Sequence, residues 1–370
     1  MNLLGRKGSV IILLSLVCGI VLSACSGSVD TKGMTTTPSS PQPPSSTTVT
    51  PAEGEVQGEE KRPQLVIDPV CITLVAGSAG GASSVIGEAI GEAIRRTLPA
   101  GTSFTYQPSQ DGANSPLVSQ GKAQIGMEAG DFPFWAYKGQ EIYQGEPHEN
   151  LRSITFLHHT AWFMVTQEHL GVTSMDEIVE KKVPLKVNVN TKNGIIEYPN
   201  RWVFAEFGFD YEDNEGWGGT VNYTPLKESA ELFKNRQLNA MAMTAQQPVS
   251  TLIDIFKTQP VHFIQISPEV IQKITDTYSS AVPYTIPAGM YPGLEKDYPS
   301  FSTPMYLITS SDVPDDLVYS MTKAIYENRD YLYSAFPGLQ DITDKTMVQT
   351  PGIPLHTGAE AFYREVGILK

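Results

Sequence analysis

Val70-Cys71-Ile72-Thr73-Leu74-Val75-Ala76 runs directly into Gly77-Ser78-Ala79-Gly80-Gly81-Ala82-Ser83-Ser84. The first half is apolar and carries no charge, the pattern of a strand covered on both faces in a parallel sheet. The second half is a flexible loop. It leads into a helix on which Ile86, Ile90 and Ile94 recur every four residues along one face, and Pro99-Ala100-Gly101 ends that helix. A strand from Thr102 to Tyr106, a short helix from Gly112 to Ser119 and a strand from Ala123 to Glu128 complete a βαβαβ unit.

Downstream, a helical segment around Phe132 to Tyr137 precedes two strand-like stretches, Ile154 to Phe156 and Trp162 to Thr166. Ser174 then caps a helix running to Lys182. A second α/β unit starts with the strand Leu185 to Val189. It continues with a helix near Trp202 to Phe207, a strand Thr220 to Tyr223, a helix Lys227 to Lys234 and a strand Leu238 to Met243. Pro248 opens another helix and Val261 to Ile266 forms a strand. The apolar run Met305 to Ile308 and the helix from about Pro314 to Tyr326 read as a return to the first unit. The expected fold is therefore α/β in two lobes, lobe 1 over residues 64–165 and 300–370 and lobe 2 over 166–299, with a ligand cleft between them. Open sheets hold ligands beyond their strand ends, and two such sheets face to face make a closing cleft.

At the start of the chain, Arg6 and Lys7 precede an uncharged apolar stretch from Val10 to Val21. That is a secretory signal, too short for a permanent span of roughly 20 apolar residues. Leu22-Ser23-Ala24-Cys25 resembles the bacterial lipobox, so residues 1–24 are expected to be removed and Cys25 to carry the lipid. From residue 25 to 63 the Ser/Thr/Pro-rich and then acidic sequence has almost nothing to build a core and reads as a disordered tether. The expected location is extracytoplasmic, on a bacterial membrane through the lipid alone. With Cys18 removed and Cys25 modified, only Cys71 remains, and it is expected to be a buried strand residue. Loss of Arg6 and Lys7 takes the formal net charge from −14 to −16, which argues against nucleic acid as a partner.

Catalytic patterns are lacking. Gly77-Ser78-Ala79-Gly80-Gly81 has neither the spacing of a nucleophile elbow nor the lysine of a phosphate-binding loop. His158 and His159 are adjacent and point to opposite faces of a strand, and His148, His169, His262 and His356 are scattered. No metal, no cofactor and no enzymatic activity are expected. A lipid-anchored scaffold or adhesion protein and a cell-surface hydrolase are the alternatives to a solute receptor.

Four passages carry a family resemblance: Ala76-Gly77-Ser78-Ala79-Gly80-Gly81; Asp111-Gly112-Ala113-Asn114 with Ser119-Gln120-Gly121-Lys122-Ala123; Trp217-Gly218-Gly219; and Thr285-Ile286-Pro287-Ala288-Gly289-Met290-Tyr291-Pro292. With these the chain resembles the TAXI family, the extracytoplasmic receptors of TRAP-type secondary transporters. The resemblance implies a type II periplasmic-binding fold, a small carboxylate or acidic amino acid as ligand, TRAP membrane subunits as partners, a monomer, and no catalysis. Where many members have a Gly-Pro-rich anion loop after the first strand of the second lobe, this chain has Val187-Asn188-Val189-Asn190-Thr191-Lys192-Asn193-Gly194. The ligand-binding residues expected are Gly77, Ser78, Gly80, Gly81, Ser83 and Asn114 from lobe 1, and Asn190, Thr191, Lys192 and Trp217 from lobe 2. In lobe 1, helix amides and hydroxyls would hold an anion without cationic side chains. Trp217 would wall the cleft, and Arg201 is a further carboxylate partner to be weighed against a structural role.

Overall fold

The structure is a computed structural model that describes residues 68–77 and 82–370. The signal segment 1–24, the lipid site Cys25, the tether 25–63 and the loop residues Ser78, Gly80 and Gly81 lie outside the described residues.

The chain begins with β1 (Cys71–Ala76), α1 (Ala82–Thr97), β2 (Ser103–Pro108), α2 (Asn114–Ser119), β3 (Ile125–Ala129), α3 (Phe132–Lys138) and β4 (Leu151–His158). It crosses into β5 (Ala161–Gln167), α4 (Met175–Glu180), β6 (Lys186–Asn188), α5 (Tyr198–Glu206), α6 (Tyr211–Gly216), β7 (Thr220–Asn222), α7 (Leu226–Lys234) and β8 (Ala240–Ala245). Then follow α8 (Ser250–Thr258), β9 (Val261–Phe263), α9 (Pro268–Thr277), β10 (Val282–Ile286) and β11 (Tyr298–Ser302). After crossing back, β12 (Met305–Ser310), α10 (Asp315–Glu327), α11 (Arg329–Ala335) and α12 (Thr357–Glu365) complete the chain.

The strands form two sheets. The first has the order β2-β1-β3-β12-β4, with β1 parallel to β2 and β3, and β12 antiparallel to β3 and β4. The second runs β10-β11-β5-β8-β6-β7, with β9 also on β5. There β6 is parallel to β7 and β8, and β5 is antiparallel to β8. Each lobe is thus the same βαβαβ core, closed by one antiparallel strand that the chain supplies on its way across. Two lobes of α/β type are as the sequence predicts.

The first junction folds as its composition dictates. Ile72, Leu74 and Ala76 enter the core under α1 and α10, together with Ile86, Ile90 and Ile94. Gly87 and Gly91 let α1 lie directly on β2, because a Cβ at either would overlap the rings of Tyr106 and Phe104. Cys71, expected to be buried, is exposed. It shares a face with Val75, but on that face the short α2 covers only the far end of the strand, through Val118. Ser174 caps α4 as expected, its hydroxyl accepting from the Glu177 amide at 3.2 Å.

The lobe boundaries move. β5 belongs wholly to the second sheet, so lobe 1 ends near His159 rather than at 165, and β11 extends lobe 2 to about Ser302 rather than 299. The two crossing segments lie side by side. Thr160 N donates to Ser302 Oγ at 3.1 Å, Thr303 N donates to Thr160 O at 3.0 Å, and the Thr160 hydroxyl bonds the Thr303 carbonyl. A pair of short connections held together in this way is a hinge geometry.

Candidate functional site

Asp111 after β2 and Phe132 and Trp135 after β3 touch Ile195 and Tyr198 after β6, so these finishing ends of the parallel strands face one another across the lobes. In lobe 1, Gly77 leaves β1 with its carbonyl accepting from the Tyr106 hydroxyl at 2.5 Å. Ser83 stands in the first turn of α1, its hydroxyl 3.0 Å from where a Cβ on Gly77 would be. A helix of 16 residues begins directly after this loop, with the positive end of its dipole toward it.

In lobe 2, the loop after β6 turns through Asn190 (φ 67°) and Asn193 (φ 59°), conformations that asparagine tolerates better than most residues. The Asn190 side-chain oxygen accepts from Thr191 N at 2.7 Å, and Gly194 N donates to Thr191 O at 3.0 Å. Thr191 and Lys192 are exposed, with the Lys192 ammonium 5.4 Å from the centre of the Tyr223 ring. Asn190 is largely buried. The lobes meet beside this loop, where Ile195 N donates to the Asp111 carboxylate at 3.3 Å. Phe132 and Trp135 of lobe 1 continue the contact, packing edge-on against Tyr198 at 5.7 and 5.4 Å.

Arg201 has a structural role. Its guanidinium donates to the fully buried Glu197 at 2.7 and 2.6 Å and to Asn193 Oδ1 at 2.8 Å. Glu197 in turn accepts from Asn193 N at 3.1 Å. The pair ties the loop to α5, and Glu197 is a residue that sequence reasoning missed: a helix-start glutamate four residues before an arginine is the signal that was available.

Two expected ligand contacts are placed elsewhere. Asn114 is 1% exposed and donates its amide to Met127 O at 3.1 Å. It stands beside Glu128, also 1% exposed, whose charged form it supports together with the amides of Gly112 and Ser115. Burial pushes the Glu128 carboxyl well above the usual range, and the nearby Asp111 charge adds to the effect. Asp111 itself is raised by burial. Asn114 thus serves an interior carboxyl and not the cleft surface. Trp217 lies at the other end of its sheet: it stacks on Phe209 at 5.2 Å and precedes the start of β7, whereas the cleft lies past the strand's finish. The glycines after it are needed there for backbone reasons. Gly218 has φ 96°, and a Cβ on Gly219 would press on Leu185 O and the Asn214 side chain.

The histidines hold the hinge. His159 N donates to Asp341 at 3.0 Å and its ring bonds Ser302 Oγ at 3.1 Å. Burial lowers both rings, His158 to about 4. No group of three or more His, Cys, Asp or Glu side chains suited to a metal occurs among the described residues.

Two like-built α/β lobes, joined by paired crossings and touching across a cleft, define the two-lobed periplasmic-binding architecture. The chain belongs to the NMT1-like family, whose model matches residues 74–367. The matching model is NMT1-like and does not name the TAXI group. Similar solved structures include a TctC solute-binding protein from Polaromonas, 15% identical with a TM-score of 0.48, covering 72% of this chain and 88% of that one. The periplasmic binding protein BugD is 12% identical at a TM-score of 0.48, covering 81% and 94%. MatC from Rhodopseudomonas palustris, solved with malate bound, is 10% identical at 0.47, covering 80% and 96%.

Proposed function

We propose that the protein is an extracytoplasmic receptor that captures a small organic anion between its lobes and delivers it to a TRAP-type secondary transporter. The observation that supports the reading is the meeting of the lobes at Asp111 and Ile195, beside the loop after β6 and on the side of the first sheet where β1 and β2 end. The anion is received by the amides at the start of α1 with the hydroxyls of Ser78 and Ser83, while Gly77, Gly80 and Gly81 keep the loop free of bulk. Thr191 and Lys192 approach from lobe 2, with Lys192 an exposed cation on the opposing loop. The protein binds and releases its ligand and is not an enzyme. The lipid on Cys25 and the Ser/Thr/Pro tether would hold it near the membrane partner. No helix among the described residues is long and apolar enough to cross a membrane.

A thermal-shift panel of small mono-, di- and tricarboxylates and acidic amino acids tests the reading on residues 64–370. One compound is expected to raise the melting temperature, and the rise should grow with concentration above its dissociation constant. A flat response to every acid, with no bound compound in native mass spectrometry, would overturn the receptor function.

A further inference from the structure

The two crossings between the lobes meet at one hydroxyl. Ser302, at the end of β11, is fully buried, and among the described residues its Oγ bonds Thr160 N and His159 Nδ1, each at 3.1 Å. A hydroxyl has a single hydrogen and the Thr160 amide can only donate to the oxygen, so that hydrogen is the one shared with Nδ1. Nδ1 is then the acceptor, and the imidazole is neutral with its own proton on Nε2. One serine on the returning crossing thus holds two consecutive residues of the outgoing one.

The His159 ring itself bridges the lobes. It meets Phe156 of β4 with ring centres 4.9 Å apart and Tyr284 of β10 at 5.2 Å. Three titratable groups surround it. Asp341, in the turn after α11, accepts the His159 amide at 3.0 Å, and its charge favours a protonated ring. Tyr284 is held protonated by burial, and His158, the preceding residue, is held neutral by burial. For His159 burial outweighs Asp341, and the ring is lowered from the ordinary histidine range. Protonation would undo the arrangement at two points. Nδ1 would become a donor, so Ser302 Oγ would face two N–H groups and its own hydrogen would lose its acceptor inside a buried site. The carboxylate that attracts the new charge, Asp341, belongs to lobe 1 and not to the crossing that carries Ser302.

We propose that His159 is a proton-operated latch on the hinge: neutral, it fastens the two crossings through Ser302, and protonated, it releases them so that the lobes separate more readily. The latched form disfavours a proton that the released ring accepts at its ordinary value. The fastening is therefore complete above the ordinary histidine range and is lost as pH falls below it, toward the lowered value of the latched ring. For a receptor of the proposed kind, acid would then favour release of the ligand. That consequence rests on the receptor reading, whereas the latch does not.

Hydrogen exchange of the full chain is followed without ligand at about pH 7.5 and about pH 5.5, corrected for the intrinsic rate at each pH. Thr160 N and Thr303 N report on the crossings, and Ile195 N and Ser280 N on the contacts between the lobes. The β5 amides paired with β8 are the reference. Protection of the four reporters is expected to fall toward acid by about 3-fold or more relative to the reference, since each unit by which the ring is lowered is a factor of about ten. His159→Asn keeps an acceptor for the Ser302 hydroxyl but takes up no proton, so its protection should hold at both pH values. It also leaves Asp111 and Asp131, which accept the Ile195 and Ser280 amides, free to titrate as before. Ser302→Ala removes the fastening, and its crossing amides should exchange fast at both pH values. Circular dichroism checks that each variant folds. Equal protection at both pH values in the wild type, the same fall in His159→Asn, or a wild-type pH response in Ser302→Ala would overturn the proposal. Because no ligand is present, the latch stands or falls apart from the outcome of the thermal-shift panel.

Discussion

The first βα loop of lobe 1 and the first βα loop of lobe 2 hold equivalent places in two sheets of like order, yet their chemistry differs. After β1, residues 77–84 hold glycine, alanine and serine with no charge, and a 16-residue helix begins at once. After β6, Asn190 and Asn193 turn the chain, and a buried Glu197 with Arg201 braces it before and within α5. One loop carries no charge of its own. The other spends Glu197 and Arg201 on its own shape, while Thr191, Lys192 and Asn193 are exposed. On the proposed reading a duplicated fold divides labour: lobe 1 would supply neutral anion-binding groups, and lobe 2 a braced wall against which the cleft shuts.

The largest expected effect breaks this division at its first half. Gly80→Val adds a β-branched side chain to the loop where, on the proposed reading, backbone approaches the anion. Affinity for the ligand found in the thermal-shift panel should fall by about 100-fold or more, roughly 3 kcal/mol, through loss of several charge-assisted hydrogen bonds. Stability should change little, since Gly80 falls between β1 and α1 and inside neither element. Isothermal titration and urea unfolding of the same sample separate the two quantities. An unchanged affinity would move the anion site to lobe 2.

The second expectation concerns the brace. Glu197→Ala strands the Arg201 guanidinium and the Asn193 amide at once. Arg201 is partly exposed, so water offsets some of the loss, and a cost of about 2 kcal/mol in urea unfolding is expected. Arg201→Ala should cost at least as much, because it leaves a fully buried carboxylate without its partner. If both variants unfolded at the wild-type midpoint and bound ligand less tightly, the pair would be part of the site and not its support.

Much of the architecture was legible in the sequence because its signals are local. The apolar β1 run, the four-residue isoleucine spacing of α1 and the Ser174 cap each state their structure within a few residues. The lobe boundary was not legible, because β4 and β5 are both apolar and the crossing at His158 to Thr160 has no glycine, proline or charge run to mark it. Trp217-Gly218-Gly219 misled for a related reason: glycine pairs mark close backbone approach, but whether a ligand or the protein's own Leu185 carbonyl does the approaching depends on which end of the sheet they occupy. Cys71 depended on how far a six-residue helix reaches across a sheet face. All three are questions of tertiary placement, to which periodicity is blind.

The smallest effect concerns Asn114, a residue that the same local reasoning assigned to the cleft. At the start of α2 it looks like a donor aimed outward, but its amide is used on Met127 O and its neighbour is the buried Glu128. Replacing it with alanine removes one buried hydrogen bond and one support of an interior carboxyl. A loss of about 1–2 kcal/mol in urea unfolding is expected, with ligand affinity within about 2-fold of wild type. Its sign with pH is also defined. Glu128 is raised in the folded protein, so the folded chain holds a proton there that the unfolded chain releases, and this contribution opposes stability as pH rises above the ordinary glutamate range toward the folded value. Without Asn114 the charged form has one fewer donor and Glu128 is raised further, so the loss of stability between Asn114→Ala and wild type should stay constant while both folded proteins hold the proton and widen only above the wild-type folded value. Unfolding at a series of pH values measures the widening. A constant difference at every pH, together with a drop in affinity of 10-fold or more, would return Asn114 to the ligand and erase the contrast between a lobe 1 loop proposed to bind and an α2 start that only packs.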